Sequence, residues 1–116
     1  MNNLKKNREF QIIYNSGRKS FGYYSLIFFK KNEENLKRCG FVVSKKTGNA
    51  VCRNRLKRLF REYYRKFENQ LKDGYDIIFV AKRTAGEKVK TLKYQDMEKD
   101  LMKVMKSSKL FKSQES

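Results

Sequence analysis

The sequence contains no histidine, only two cysteines and only 12 acidic residues among 116. Without imidazole, a histidine-ligated metal centre and a histidine general base are excluded, and Cys39 and Cys52 supply neither a zinc ligand set nor a CxxC redox pair. The two thiols have no histidine to activate them as nucleophiles. The acids are scattered singly apart from Glu33 and Glu34, so no carboxylate pair presents itself for proton transfer. No apolar run approaches the roughly 18 to 20 residues that cross a bilayer, and the start, MNNLKKNREFQ, is charged where a signal peptide has its apolar core. The expected setting is the cytoplasm, with both cysteines as free thiols. Neither a catalytic residue nor a metal ligand is expected in the chain.

What is abundant is positive charge. There are 29 Lys and Arg residues, giving a formal charge of +17. Such a balance makes the compact state repel itself and points to a polyanionic partner. Nucleic acid is the first candidate and an anionic membrane surface the second. A hydrophobic fraction of 39%, with seven Tyr and nine Phe, is enough for the core of one modest domain and separates this chain from a disordered basic tail. No internal repeat or interdomain linker interrupts it.

Along the chain, Phe10, Ile13 and Tyr14 fall at i, i+3 and i+4, predicting a short helix over residues 8–16 with Asn7 as its cap and Gly17 ending it in a left-handed conformation. Residues 22–31 are aromatic and β-branched enough for a long strand, and Ser20 and Phe21 can add a short one before it. The turn 32–35 then leads to a strand over 38–44, expected as the antiparallel partner of 22–31. From about residue 50 to Leu71 a helical period places Leu56, Leu59, Phe60, Tyr63, Phe67 and Leu71 on one arc, with Lys57, Arg58, Arg61 and Arg65 opposite. Residues 75–81 are nearly all apolar, as expected of an inner strand. If that strand runs parallel to the one before the long helix, the helix is a crossover. A loop over 82–93 precedes a last helix carrying Met97, Leu101, Val104 and Met105, and the chain is expected to fade into a polar tail from about residue 107, both termini lying outside the strands. The order αβββαβα predicts a single-domain α+β two-layer sandwich.

Two features suit RNA. Between residues 53 and 66 there are seven basic residues and one acid, Glu62, so almost nothing neutralises the cationic side of the long helix. Arginines at this spacing match a ladder of phosphates. Lys45 and Lys46 stand just before the same helix, where backbone amides also favour phosphate, although the Gly-Lys-Ser/Thr order of a nucleotide loop is missing. The second feature is aromatic: Phe10 and Tyr14 on the first helix, with Leu26 and Phe28 on one face of strand 22–31 and Ile27 and Phe29 on the other. Such residues are usually core, yet partly exposed in a basic groove they stack unpaired bases. Composition does not choose which strand face is open.

The run GFVVSKKTGNAVCRNRLKRLFREYYR, residues 40–65, resembles the protein component of bacterial ribonuclease P, through the triplet Arg53, Asn54, Arg55 opening a basic helix after VSKKTGNAV. LKKNREFQIIYNSG and DGYDIIFVAKR extend the likeness over nearly the whole chain. The resemblance implies a sandwich with a left-handed βαβ crossover, and a role beside a catalytic RNA in the endonucleolytic removal of the 5′ leader from precursor tRNA. It also implies Mg2+ bound mainly by RNA and by no protein side chain alone. Partners would be the RNA subunit and precursor tRNA, with neither a membrane nor a small-molecule substrate. Arg53, Asn54, Arg55, Arg58 and Arg61 would meet the RNA subunit, adjoined by Lys45, Lys46, Lys57 and Arg65. Phe10, Tyr14, Leu26 and Phe28 would hold the leader. Tyr14 stands where the family commonly has phenylalanine, and the stretch before Leu4 is short. The competing expectation is a non-catalytic ribosomal-type RNA-binding protein or RNA chaperone.

Overall fold

The computed structural model describes residues 1–113. In chain order the elements are β1 (Asn2–Asn3), α1 (Asn7–Ser16), β2 (Arg18–Phe21), β3 (Ser25–Lys31), β4 (Arg38–Val42), a 3-10 turn (Lys45–Thr47), α2 (Ala50–Phe67), a second 3-10 turn (Glu68–Gln70), β5 (Tyr75–Ala81), α3 (Arg83–Glu87) and α4 (Tyr94–Ser107). They form one α+β domain around a five-stranded sheet of order β1-β4-β5-β3-β2.

The apolar run of β5 takes the middle of the sheet, because only a strand covered on both faces can bury consecutive apolar residues. It pairs antiparallel with β3, Ser25 opposite Ala81, and parallel with β4, Arg38 opposite Asp76. This overturns the expected β3–β4 antiparallel pair: β5 lies between them. The parallel β4–α2–β5 connection is the crossover expected of the long helix. The N-terminus is not outside the sheet either, since β1 pairs parallel with β4.

One face of the sheet carries Ile27, Phe29, Cys39, Ile77 and Phe79 and packs beneath α2 and α4. From α2 come Leu56, Leu59, Phe60, Tyr63 and Tyr64, all buried, and from α4 Met97, Leu101, Val104 and Met105. Each fully buried side chain of this size stabilises by about 1.5–3 kcal/mol. Leu110, placed by the sequence in a polar tail, is buried in the same core, and Phe111 bridges to Leu71. The expected tail therefore begins later; its last residues, 114–116, lie outside the described ones.

Three local expectations change for identifiable reasons. Helix α1 is capped at Lys6, not Asn7, because the Glu9 carboxylate accepts from the backbone N–H groups of Lys5 and Lys6 at 3.1 and 2.9 Å. Gly17 is extended, with φ −84°, and not left-handed; glycine is needed because a Cβ there would lie 2.5 Å from the Ile13 carbonyl oxygen and 2.8 Å from that of Phe29. Strand β3 starts at Ser25, since the buried Asp100 of α4 gathers the preceding turn. Its carboxylate accepts from Tyr23 N–H at 2.7 Å, Tyr24 N–H at 3.0 Å and the Ser25 hydroxyl at 2.8 Å. Asp100→Asn, which halves the acceptor capacity of this buried group, is expected to cost about 2 kcal/mol in urea unfolding.

Candidate nucleic-acid interface

The opposite face of the sheet is only partly covered. Helix α1 lies across it and contributes Ile13, which with Leu4 and Ile78 forms a small second core. Around that core Phe10, Tyr14, Phe28, Val42 and Val80 are half-buried. Tyr14 meets Phe28 edge to face at 4.8 Å between centroids, and Phe10 stands 6.4 Å from Tyr14. Gly40 permits this approach, because a Cβ on β4 would lie 2.6 Å from the Phe10 ring. Partial burial raises the Tyr14 hydroxyl above its ordinary pKa of 10.0, so it is a neutral donor at pH 7.

Register settles which face of β3 is open. Leu26 lies opposite Val80 and Phe28 opposite Ile78, so Leu26 and Phe28 share the α1 side while Ile27 and Phe29 enter the main core. The structure thus brings Phe10, Tyr14, Leu26 and Phe28 into one groove. It adds residues the sequence reading missed: Val42 and Val80 on the floor, and Lys19, whose Nζ sits 5.8 Å from the Phe28 ring centroid. The period-two pattern of β5 would have indicated Val80 once that strand was placed beside β3.

The groove is fixed at one end by an ion-pair cluster. Arg38 donates from Nε and Nη2 to Asp76, both at 2.8 Å, and from Nη1 to Glu9 at 3.0 Å. Asn32 adds a 2.8 Å hydrogen bond to Asp76. Strand β4 is thereby tied to α1, and Arg38 is engaged by the fold.

On the other layer, α2 starts where Asn49 accepts from Cys52 N–H at 2.9 Å. The Arg-Asn-Arg triplet divides its labour. Arg53 donates to the Gly48 carbonyl at 2.7 Å, and Arg55 donates to the carbonyls of Val89 and Leu92 at 3.2 and 2.7 Å, clasping the connection between α3 and α4. Asn54 is exposed. Arg58, Arg61 and Arg65 are exposed on the outer side of the helix, and none enters an ion pair among the described residues. Lys57 is half-buried and Lys45 and Lys46 are exposed beside the helix start. Lys66, on the flank, is engaged by Glu98 at 2.6 Å.

Among the described residues no group of three His, Cys, Asp or Glu side chains is placed to hold a metal ion, so the side chains present do not fit a protein-bound Mg2+. Burial, with Glu68 adding to it, pushes the Cys39 thiol up to about 12, which keeps it protonated. No described helix is long and apolar enough to cross a membrane.

A small basic sandwich with free arginines on its outer helix and a half-covered aromatic sheet face belongs to the class of RNA-binding domains. Comparison with known proteins gives the family. The Ribonuclease P family profile matches residues 1–109. The ribonuclease P protein component of Fusobacterium nucleatum is 61% identical over 110 residues, spanning 95% of this chain and 99% of that protein. That of Alkaliphilus metalliredigens is 38% identical, over 94% and 95%. Among solved structures, the Staphylococcus aureus RNase P protein superposes with a TM-score of 0.86 at 32% identity, covering 97% of this chain and 99% of that one. The Thermotoga maritima RNase P protein gives 0.84 at 28%, over 92% and 97%. The chain belongs to the ribonuclease P protein family and is the protein subunit of an endoribonuclease that processes the 5′ end of tRNA.

Proposed function

We propose that this subunit holds two RNA segments at once: the catalytic RNA through the outer side of α2, and the single-stranded 5′ leader of precursor tRNA through the groove beneath α1. The observation that carries the reading is their placement on opposite layers of one sheet, which lets both be occupied without competition. Arg58, Arg61 and Arg65 supply phosphate contacts, with Asn54, Lys57, Lys45 and Lys46 alongside. Arg53 and Arg55 reach the RNA with the donors left after their carbonyl contacts and otherwise keep the helix start rigid. In the groove Phe10, Tyr14, Leu26 and Phe28 receive bases, while Lys19 is near enough to meet a phosphate.

Bond cleavage belongs to the RNA in this reading. Mg2+ is held by RNA phosphates, and the polypeptide contributes by fixing the substrate against the RNA. The work is done in the cytoplasm. Reconstitution with the catalytic RNA at low magnesium tests the whole: leader release above the RNA-alone rate supports the reading, and release at that rate favours a chaperone or ribosomal-type binder instead. Phe10→Ala is expected to lose roughly 1–3 kcal/mol of affinity for precursor while leaving binding of leaderless tRNA and subunit assembly unchanged. Equal losses for both tRNAs would make Phe10 structural.

A further inference from the structure

The open sheet face continues past the groove. On β2 the alternation puts Lys19 opposite Phe28 and Phe21 opposite Leu26, so Phe21 lies on the groove side of the sheet, one step of about 7 Å along the strands from the Lys19–Phe28 pair. Phe21 is 65% exposed, an unusual position for a phenylalanine on an edge strand. The Lys82 Nζ sits 6.0 Å from its ring centroid, repeating the ring-and-ammonium arrangement of Phe28 and Lys19. Lys82 is in no ion pair among the described residues. Its ammonium donates to the Gly22 carbonyl at 2.9 Å, which orients it and leaves two protons free. The turn that carries Phe21 is held from below by Asp100 and from the side by Lys82 N–H, which donates to the Tyr24 carbonyl at 2.9 Å. The ring is therefore presented on an ordered support, and binding to it costs little further ordering.

We infer that Phe21 and Lys82 form an additional nucleotide subsite, in which an unpaired base stacks on the ring and the adjoining phosphate meets the ammonium. It takes the next nucleotide of the strand beyond those in the groove, and so rests on the groove being a leader site. The charge of the surroundings selects this occupant: an exposed aromatic flanked by unpaired lysines suits a base with its phosphate better than an apolar protein surface.

The test uses the reconstituted holoenzyme and two precursors, one whose leader ends within the groove and one whose leader runs several nucleotides further. Phe21→Ala is expected to weaken the long-leader precursor about five-fold or more and to leave the short one unchanged, whereas Phe21→Trp retains the long-leader affinity. Phe10→Ala is expected to weaken both. If Phe21→Ala binds both precursors like the parent while Phe10→Ala weakens both, the additional subsite is refuted and the groove stands. If Phe10→Ala shows no leader-dependent loss, the groove reading fails first. Equal weakening of both precursors by Phe21→Ala also overturns the inference, by assigning the ring to something other than the distal leader. Thermal melting of each variant confirms that an exposed side chain was removed without unfolding the domain.

Discussion

Replacing Arg58, Arg61 and Arg65 together with alanine is expected to weaken binding of the catalytic RNA on the order of 500-fold at 0.1 M salt. Each phosphate contact with duplex-like RNA contributes about 0.9 to the log-log salt slope, so the triple variant should also flatten that slope by about 2.7. The fold should be untouched, because all three side chains are exposed and outside the ion pairs found among the described residues. Filter binding across a salt series, with melting as control, gives both quantities. An unchanged slope would mean that the outer side of α2 does not face RNA. The same triple substitution should leave any leader-dependent difference between precursors intact once the RNA is saturated, since the groove lies on the other layer.

Arg38→Met is expected to lower stability by about 3 kcal/mol, because removing one partner strands the other charge in a poorly solvated place. The Asp76 side chain is only 7% exposed and keeps just Asn32 when the guanidinium is gone. Much of the loss should return in Arg38→Met/Asp76→Asn, which removes the stranded charge; urea unfolding of the pair measures this. The single variant also releases Glu9, and with it the tie between β4 and α1. Acid should loosen the same tie. The backbone N–H groups of Lys6 and Lys5, with Arg38 assisting, hold the Glu9 carboxyl below its ordinary value of 4.5. A lowered folded pKa means the unfolded chain binds the proton first on acidification. The stabilisation from Glu9 is thus complete above about pH 4.5 and fades as pH falls through the lowered value.

Periodicity made the helices legible: the arc from Leu56 to Tyr63 and the repeat from Met97 to Met105 identify which sides are buried, and the unmatched arginines follow from the remaining side. The central place of β5 was also legible, because a run such as Ile77, Ile78 and Phe79 has no polar face to offer water. Strand neighbours were not. A period of two tells which residues share a face but not which strand lies beside which, so β4 was paired with the strand it follows in sequence. That error concealed Val42 and Val80 from the groove. The arrangement of Arg55 was equally unreadable, for its acceptors are backbone carbonyls some 34 and 37 residues away, which carry no side-chain signature. Leu110 was lost among lysines and serines because one apolar residue makes no pattern by itself.

The insertion of β5 between β3 and β4 has a consequence for biosynthesis. Neither earlier strand has its neighbour until the ribosome has delivered residues 75–81, with Ser25 waiting for Ala81 and Val42 for Val80. Pairings this distant in the chain are slow to close. A nascent polypeptide halted before Tyr75 therefore carries its arginine-rich segment in translation without the sheet that shapes it, and the domain matures only near the end of synthesis.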